Sequence, residues 1–401
     1  MATQKGGYLL SVIIPTKDRE QFAIKSIAQV LEIDSEELQV VVQDNGASDR
    51  LYDLLKPMLA DARLKYNRTE SPLSFVDNFS EAVSQADGEY LCLIGDDDGV
   101  LPLVMGMVRW AKANNIDAIT PKLNAVYFWP NSSALKSVVD DGCLRIEGMS
   151  PRARLRKAMP EVEKLLKRGA TGYLSLNMVK LYHGVVRAAC LEVVKEKTGR
   201  FFGGLSPDIY SSVALSLTVR QVATLDFPLT ISGICSKSGS ADSATGRHTG
   251  KLRDAPHFRG HGEYSWSRLV PPIYSVETIW ADSALAAVRE VGNPHLEKKF
   301  NSLALLVECL SKYPEMRNEL LDFFSSSAPR TASRILALRF LLVLKAGTRF
   351  GRRVVRRLEL LSSSYTEIHG IRDIAQASNA LQSRMEGIGF DVGKISLEGA
   401  R

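Results

Sequence analysis

The chain has 401 residues, 45% of them hydrophobic and 24% charged, with a formal net charge of +6. That balance supports one large folded domain or two and excludes a wholly disordered chain. The five cysteines (Cys92, Cys143, Cys190, Cys235 and Cys309) are scattered and form no CxxC pair, which argues against a disulfide framework and for small core thiols in a reducing compartment. The polar stretch Met1–Gly7 is not a secretory signal, and no run of about 18 apolar residues marks a spanning helix. An intracellular protein is expected.

Tyr8–Ile14 is a continuous apolar run ending at Pro15, the pattern of a strand buried on both faces. Thr16-Lys17-Asp18-Arg19 turns the chain into a helix over Glu20–Leu31. A second strand covers Leu38–Val42 and closes in Gln43-Asp44-Asn45-Gly46-Ala47-Ser48-Asp49, with Asp49 expected to cap the next helix. A short strand follows at Arg63–Asn67. The helix Ser74–Ala86 sets Phe75, Phe79, Ala82 and Val83 on one side. Tyr90–Gly95 then reads as a strand running straight into Asp96-Asp97-Asp98. A helix over Pro102–Ala113 and a strand at Asp117–Thr120 complete the alternation.

Strands alternating with helices predict an α/β fold with a mostly parallel, helix-covered sheet. The polar turns after Ile14, Val42 and Ile94 then share one edge, where open α/β sheets bind ligands. Three adjacent carboxylates repel one another, and burying them unpaired costs several kcal/mol. A divalent cation removes that penalty, and carboxylate oxygens suit Mg²⁺ or Mn²⁺. The bland alternative is a solvated acidic turn.

Ser11–Thr16, Val40–Asp49, Gly88–Asp98 and Leu101-Pro102 together resemble the family 2 glycosyltransferases of the GT-A fold. The resemblance covers residues 8 to about 120 and thins towards 240. It implies a nucleotide-sugar-binding domain over residues 1–270, with a nucleotide half at 8–120 and an acceptor half at 121–270. Residues 271–401 would form a helical C-terminal region. It further implies sugar transfer, with inversion and Mn²⁺ or Mg²⁺, from a nucleotide-diphosphate sugar (UDP favoured) to an acceptor hydroxyl of a saccharide or lipid-linked glycan.

On that resemblance Pro15, Thr16 and Arg19 contact the nucleotide, and Asp44 accepts a hydrogen bond from its base or ribose. Asn78 faces the nucleotide, beside Asp77 where the family often has a basic residue. Asp97 and Asp98 are the expected metal ligands, and Asp96 reaches sugar hydroxyls or metal-bound water. Gly95, where an Asp is common, leaves room for the donor sugar. Asp208 follows Phe201–Pro207 at the start of a helix over Ile209–Val219, where the family places its base; a helix cap, by Ser206 or Asp208, is the alternative. His183 lines the acceptor pocket. In the Gly/Ser-rich loop Ser236–Lys251, the residues Lys237, Arg247, His248 and Lys251 are candidates to close over the diphosphate, with a solvated loop as the alternative. Pro256 and Gly260 argue against a helical zinc site at His257 and His261.

Between Phe323 and Leu358 there is no acidic residue but nine basic ones, interleaved with Leu, Ile, Val and Phe. Such a helix suits an anionic membrane surface at the inner face, an ordinary packed role, or a partner chain. No nucleic-acid motif is present. Two rival readings remain. A nucleotidyltransferase lacks support because no glycine-rich phosphate loop follows the first strand. A non-catalytic scaffold would show Asp208 turned away from the acidic turn.

Overall fold

The computed structural model describes residues 7–130, 142–236, 249–252, 258, 264–327, 332–359 and 365–398. The chain begins β1 (Leu10–Thr16), α1 (Glu20–Leu31), β2 (Leu38–Asp44), α2 (Arg50–Leu55), β3 (Leu64–Arg68), α3 (Phe75–Ser84) and β4 (Tyr90–Leu93). It continues with β5 (Gly99–Val100), α4 (Val104–Ala113), β6 (Ala118–Thr120), β7 (Ala125–Phe128), β8 (Cys143–Glu147), β9 (Arg152–Arg156) and α5 (Met159–Lys167). Then come β10 (Val185–Arg187), α6 (Ala188–Thr198), α7 (Pro207–Thr218), β11 (Val222–Leu225), β12 (Thr230–Ile234), β13 (Gly250–Lys251) and β14 (Ile273–Tyr274). Helices at Val276–Glu290, Pro294–Glu297, Ser302–Lys312, Arg317–Ser326, Ala332–Glu359 and Ile374–Gly387 follow, with strands β15 (Tyr365–His369) and β16 (Ser396–Glu398).

Among the described residues, nine strands form the central sheet in the order β16-β9-β11-β6-β10-β4-β1-β2-β3. The pairs β3–β2, β2–β1, β1–β4, β6–β11 and β9–β16 are parallel, while β10 runs antiparallel to β4 and β6, and β9 to β11. This is the expected mostly parallel α/β sheet with flanking helices. Its apolar runs are continuous because both faces are covered: Ile13, Val41 and Leu93 enter one core, and Val12, Ile14, Val42 and Cys92 enter the other. Each such fully buried aliphatic side chain contributes roughly 1.5–3 kcal/mol.

A second sheet, β15-β8-β7-β12-β5, lies beyond the acidic turn. The described residues of the C-terminal region are helical over Val276–Ser326 with short connections and over Ala332–Glu359, as expected, but β15 and β16 go unread in the sequence. β15 pairs with β8 and β16 with β9, while the helix Ile374–Gly387 packs on α1. The end of the chain thus returns to the N-terminal half and helps to build both sheets.

Two local expectations are corrected. Asp49 makes no side-chain cap; its carboxylate pairs instead with Arg68 at the end of β3. Phe75 is 49% exposed, resting its ring on Phe79 rather than joining the buried side of α3.

Candidate active site

The parallel register places the ends of β1, β2 and β4 side by side, and the turns that follow them meet as expected. Asp18, in the left-handed region at φ 54°, accepts the Ala47 N–H at 3.0 Å and so clips the first turn to the second. The buried Thr16 hydroxyl donates to Asp96 Oδ2 at 2.6 Å. Arg19 pairs with Asp96 Oδ1 at 3.0 Å and with Asp97 Oδ2 at 2.8 Å. Burial opposes the Arg19 charge, yet the two carboxylates more than offset it and hold the guanidinium firmly protonated.

The three acids have different partners. Asp96 and Asp97 share Arg19, and Asp97 Oδ2 also accepts the Cys235 N–H at 3.3 Å. Burial pushes Asp96 up to about 7 and Asp97 up to about 6, against the pull of Arg19. Asp98, the second expected metal ligand, is hydrogen-bonded through both carboxylate oxygens. Its Oδ1 accepts the Gly233 N–H at 2.7 Å, and its Oδ2 accepts the Gly95 N–H at 2.6 Å and the Tyr182 hydroxyl at 3.0 Å. His183 Nε2 lies 3.3 Å from the same oxygen. With its oxygens so engaged, Asp98 anchors the turn.

The second sheet, α1 and the residue after β7 supply the rest of the anchor. Trp129 Nε1 donates to the Asp97 carbonyl at 2.9 Å, and Ser26 Oγ to the Asp98 carbonyl at 2.6 Å. β5 pairs with β12, which brings the Gly233 backbone against the turn. A Cβ on Gly233 would stand 1.8 Å from the Asp97 carbonyl oxygen, so this approach requires glycine. Gly95 also has a packing reason. A Cβ there would meet Tyr182 Oη at 2.6 Å and Asp98 Oδ2 at 2.9 Å, so protein atoms fill the space expected to receive a donor sugar.

Tyr182 and His183 reach the site because residues 181–183 run beside the end of β4. Leu93 N–H donates to the Leu181 carbonyl at 3.1 Å, and His183 N–H to the Leu93 carbonyl at 2.8 Å. His183 adopts φ 61°, an uncommon conformation for a residue with a side chain. Its Nδ1 lies 2.9 Å from Thr230 Oγ1, and burial lowers its pKa, so the ring is neutral. Nε2–H then faces Asp98, and Nδ1 accepts from Thr230.

Asp208 sits in the first turn of α7. The preceding loop is held from behind by Ser283 of the helix Val276–Glu290, whose Oγ accepts the Leu205 and Ser206 N–H groups at 3.0 and 3.1 Å. Gly204, at φ 63°, lies where a Cβ would strike Ser283 at 2.8 Å. Ser206 makes no side-chain cap and instead approaches Asp208 Oδ1 at 3.3 Å. Burial raises the Asp208 carboxyl; hydrogen bonds from the backbone and from Ser206 pull the other way. Burial raises the pKa of Tyr182, the residue bonded to Asp98, and the charges of Asp98, Asp97 and Asp208 add to it.

Asp44 is buried at the end of β2, accepting the Gly46 N–H at 2.7 Å and the Tyr66 hydroxyl at 2.8 Å. Burial raises its pKa. Beside it, a surface hollow of about 490 Å³ is lined by residues including Tyr52, Tyr66, Arg68 and Glu70. This hollow does not include the acidic turn. Asn78 is buried behind Thr16, its Nδ2 3.5 Å from the Thr16 carbonyl, and Pro15 lies in β1 opposite Gln43. Asp77 accepts the Ser74 hydroxyl at 2.6 Å at the start of α3, a capping role. Lys237, Arg247, His248, His257 and His261 lie outside the described residues, and Lys251 is in β13.

Asp96 and Asp97 fit a divalent cation by chemistry: two buried carboxylates, with raised pKa values, share one guanidinium. Another set of potential ligands, Cys143, Glu367 and His369, lies on the β8–β15 pair. There Arg145 already neutralises Glu367 at 2.7 Å.

Tyr182, Thr230, Gly233, Cys235 and Ser283 were not singled out from the sequence. Gly233 and Cys235 act through backbone N–H groups, which carry no residue signature. Tyr182 was readable only as the neighbour of His183.

Residues 11–137 match the model of Glycosyl transferase family 2. A Campylobacter jejuni protein named GalNAc(5)-diNAcBac-PP-undecaprenol beta-1,3-glucosyltransferase is 31% identical over 97 residues, which are 23% of this chain and 30% of that protein. An uncharacterized glycosyltransferase of Rickettsia bellii is 31% identical over 91 residues, 22% of this chain and 13% of that one. The matches thus span less than a third of either relative's length. Among solved structures, S. aureus TarS 1–349 in complex with UDP-GlcNAc superposes with a TM-score of 0.49 at 12% identity over 80% of each chain. The segment carrying the first turns of the crevice and the acidic turn thus lies within the stretch that matches the Glycosyl transferase family 2 model, where the motifs carried the resemblance.

Proposed function

We propose that this chain is an inverting glycosyltransferase that moves a sugar from a nucleotide-diphosphate donor, a UDP-sugar by preference, to an acceptor hydroxyl. The observation that carries the reading is the meeting of Thr16, Arg19, Asp96 and Asp97 at the strand ends. A scaffold has no use for that convergence. The name of the C. jejuni relative describes glucosyl transfer to an undecaprenol-diphosphate-linked glycan, which supports a lipid-linked or other saccharide acceptor here.

In this mechanism Asp44 accepts from the base or ribose, using lone pairs left beyond Gly46 and Tyr66. Thr16, Arg19 and Asn78 line the nucleotide side, and Arg19 is free to pair with phosphate once Asp96 and Asp97 have another counter-charge. Those two carboxylates would hold Mn²⁺ or Mg²⁺, with Asp98 fixing the turn beneath them. A bound ion of this kind offsets the charge that develops on the departing diphosphate. Asp208, as carboxylate, takes the proton of the acceptor hydroxyl while that oxygen bonds to the anomeric carbon. The bond from that carbon to the diphosphate oxygen breaks on the opposite face, so the configuration inverts. Neutral His183 and Tyr182 add no positive charge that would weaken Asp208 as a base. The same proposal places the enzyme in the reducing cytoplasm, where its five free cysteines stay as thiols.

The test is calorimetric titration of UDP, GDP and ADP into the protein, with and without Mn²⁺, repeated on Asp97→Ala. Metal-dependent binding of one nucleotide, lost in the variant, is the expected result. Absence of binding by every nucleotide at millimolar concentration would overturn the reading.

A further inference from the structure

Among the described side chains of the helix Ala332–Glu359, one apolar face is covered and a second is exposed. On the covered face Leu338 is buried, Leu341 and Leu342 pack against the core, and Lys345 pairs with Glu308 of the helix Ser302–Lys312. On the other face Leu336, Phe340, Val343 and Leu344 are 68%, 62%, 72% and 51% exposed. Their spacing of i, i+4, i+7 and i+8 makes one continuous stripe along the helix. An ordinary surface helix presents charged and polar groups in that position; this one presents a Phe and three aliphatics to water.

Charge says what covers the stripe. The helix bears Arg334, Arg339, Lys345, Arg349, Arg352, Arg353, Arg356 and Arg357, and no acidic residue before its last position, Glu359. An apolar stripe on a cationic helix complements an anionic lipid surface, where apolar side chains enter the acyl boundary and basic ones meet the headgroups. A second copy of this helix would bring like charges together. Among the described residues no helix is long and apolar enough to cross a membrane, so the contact lies along the surface.

We infer that the helix Ala332–Glu359 docks this protein on the face of an anionic bilayer through Leu336, Phe340, Val343 and Leu344. The inference does not depend on the chemistry proposed for the acidic turn, but it gives that chemistry a setting. Ala332–Glu359 packs on Ser302–Lys312, which packs on Val276–Glu290, which backs α7 and Asp208. A bilayer bound at the stripe therefore lies on the side of the molecule that supports the proposed base.

The experiment is co-sedimentation of the full chain with vesicles of phosphatidylcholine alone or with about a third phosphatidylglycerol, at low and high salt, alongside analytical ultracentrifugation without lipid. Expected are binding to the anionic vesicles only, weakening in high salt, and loss of at least about tenfold in partitioning for Phe340→Glu/Val343→Glu. Leu336→Ser, a milder change, should lose less. All of these positions are exposed, so thermal unfolding and Mn²⁺-dependent nucleotide binding should not change. Wild-type protein that stays in the supernatant with anionic vesicles, or a double variant that binds as well as wild type, overturns the inference. So does a wild-type dimer that the double variant abolishes, with no vesicle binding, because the stripe would then be an interface between copies.

Discussion

Replacing Arg19 with Met should destabilise the protein strongly at pH 8 and little at pH 5. Arg19 is the shared counter-charge of Asp96 and Asp97, at 3.0 and 2.8 Å. Burial raises both carboxyls even with Arg19 in place, so their ionised forms depend on that single counter-charge. Removing one partner of a buried pair typically costs about 3–5 kcal/mol, since the remaining charge is left uncompensated. The sign follows from linkage. A carboxylate with a raised folded pKa contributes stability that is fully present below its unfolded value and is lost as pH rises through the folded one. At pH 5, below both about 6 and about 7, the two carboxyls are largely protonated and Arg19 has little charge to balance. The loss in Arg19→Met should therefore be about 3 kcal/mol at pH 8 and under about 1 kcal/mol at pH 5. Urea unfolding at both pH values, with unchanged m, measures it. Millimolar Mn²⁺ at pH 8 should stabilise the variant more than the wild type. Equal losses at the two pH values would refute the argument and reduce Arg19 to a packing residue.

Asp208→Asn should lower turnover about 10²–10⁴-fold while leaving nucleotide binding intact. In the wild type, initial rates should rise with pH through a value above the ordinary carboxylate range, because burial raises the Asp208 carboxyl and the base acts deprotonated. A variant that keeps wild-type turnover removes Asp208 from the chemistry. Gly233→Ala places a Cβ 1.8 Å from the Asp97 carbonyl oxygen, so the acidic turn must shift. Titration should show nucleotide binding weakened by at least about tenfold, with a stability loss of about 1–3 kcal/mol. Wild-type affinity in that variant would mean that β12 does not hold the turn. Lys180 is buried, with its ammonium on the Leu174 carbonyl at 3.1 Å, and burial lowers its pKa to about 8. A lowered value takes stability away as pH falls through it, so Lys180→Met should gain about 1–3 kcal/mol at pH 6 and less at pH 10. A less stable variant at pH 6 would show that the hydrogen bond outweighs desolvation.

What could be read from the sequence depended on how each residue is held. β1, β2 and β4 announce themselves as apolar runs because both of their faces are buried, and a parallel sheet aligns the turns that follow. Thr16, Arg19 and Asp96 were therefore legible as one site. β15 and β16 were not. Tyr-Thr-Glu-Ile-His and Ser-Leu-Glu are short strands that pair at sheet edges, and such segments lack the strong apolar run of the interior. Asp49 shows the limit of local reading: it stands where a cap belongs, yet Arg68, nineteen residues on, offers its carboxylate a charged partner. The roles of Gly95 and Gly233 appear only when the tertiary neighbours, Tyr182 and the Asp97 carbonyl, are known.

The acidic triplet works because its three members are not equivalent. Successive side chains in a tight turn cannot point the same way, so identical residues meet different surroundings. Asp98 is satisfied by neutral donors, the Gly233 backbone of the second sheet, the Gly95 backbone and the Tyr182 hydroxyl. That commitment fixes the loop without adding a cation to the site. Asp96 and Asp97 are left buried towards the first turn, with Arg19 as their shared cation. Had Asp98 been paired with a basic residue instead of backbone N–H groups and a neutral imidazole, the site would hold more positive charge. Its attraction for a divalent ion would be correspondingly weaker. The neutral anchor leaves the acidic character of the turn at Asp96 and Asp97, and under the proposed function a rigid turn would present it without reorganisation to a cation and a diphosphate.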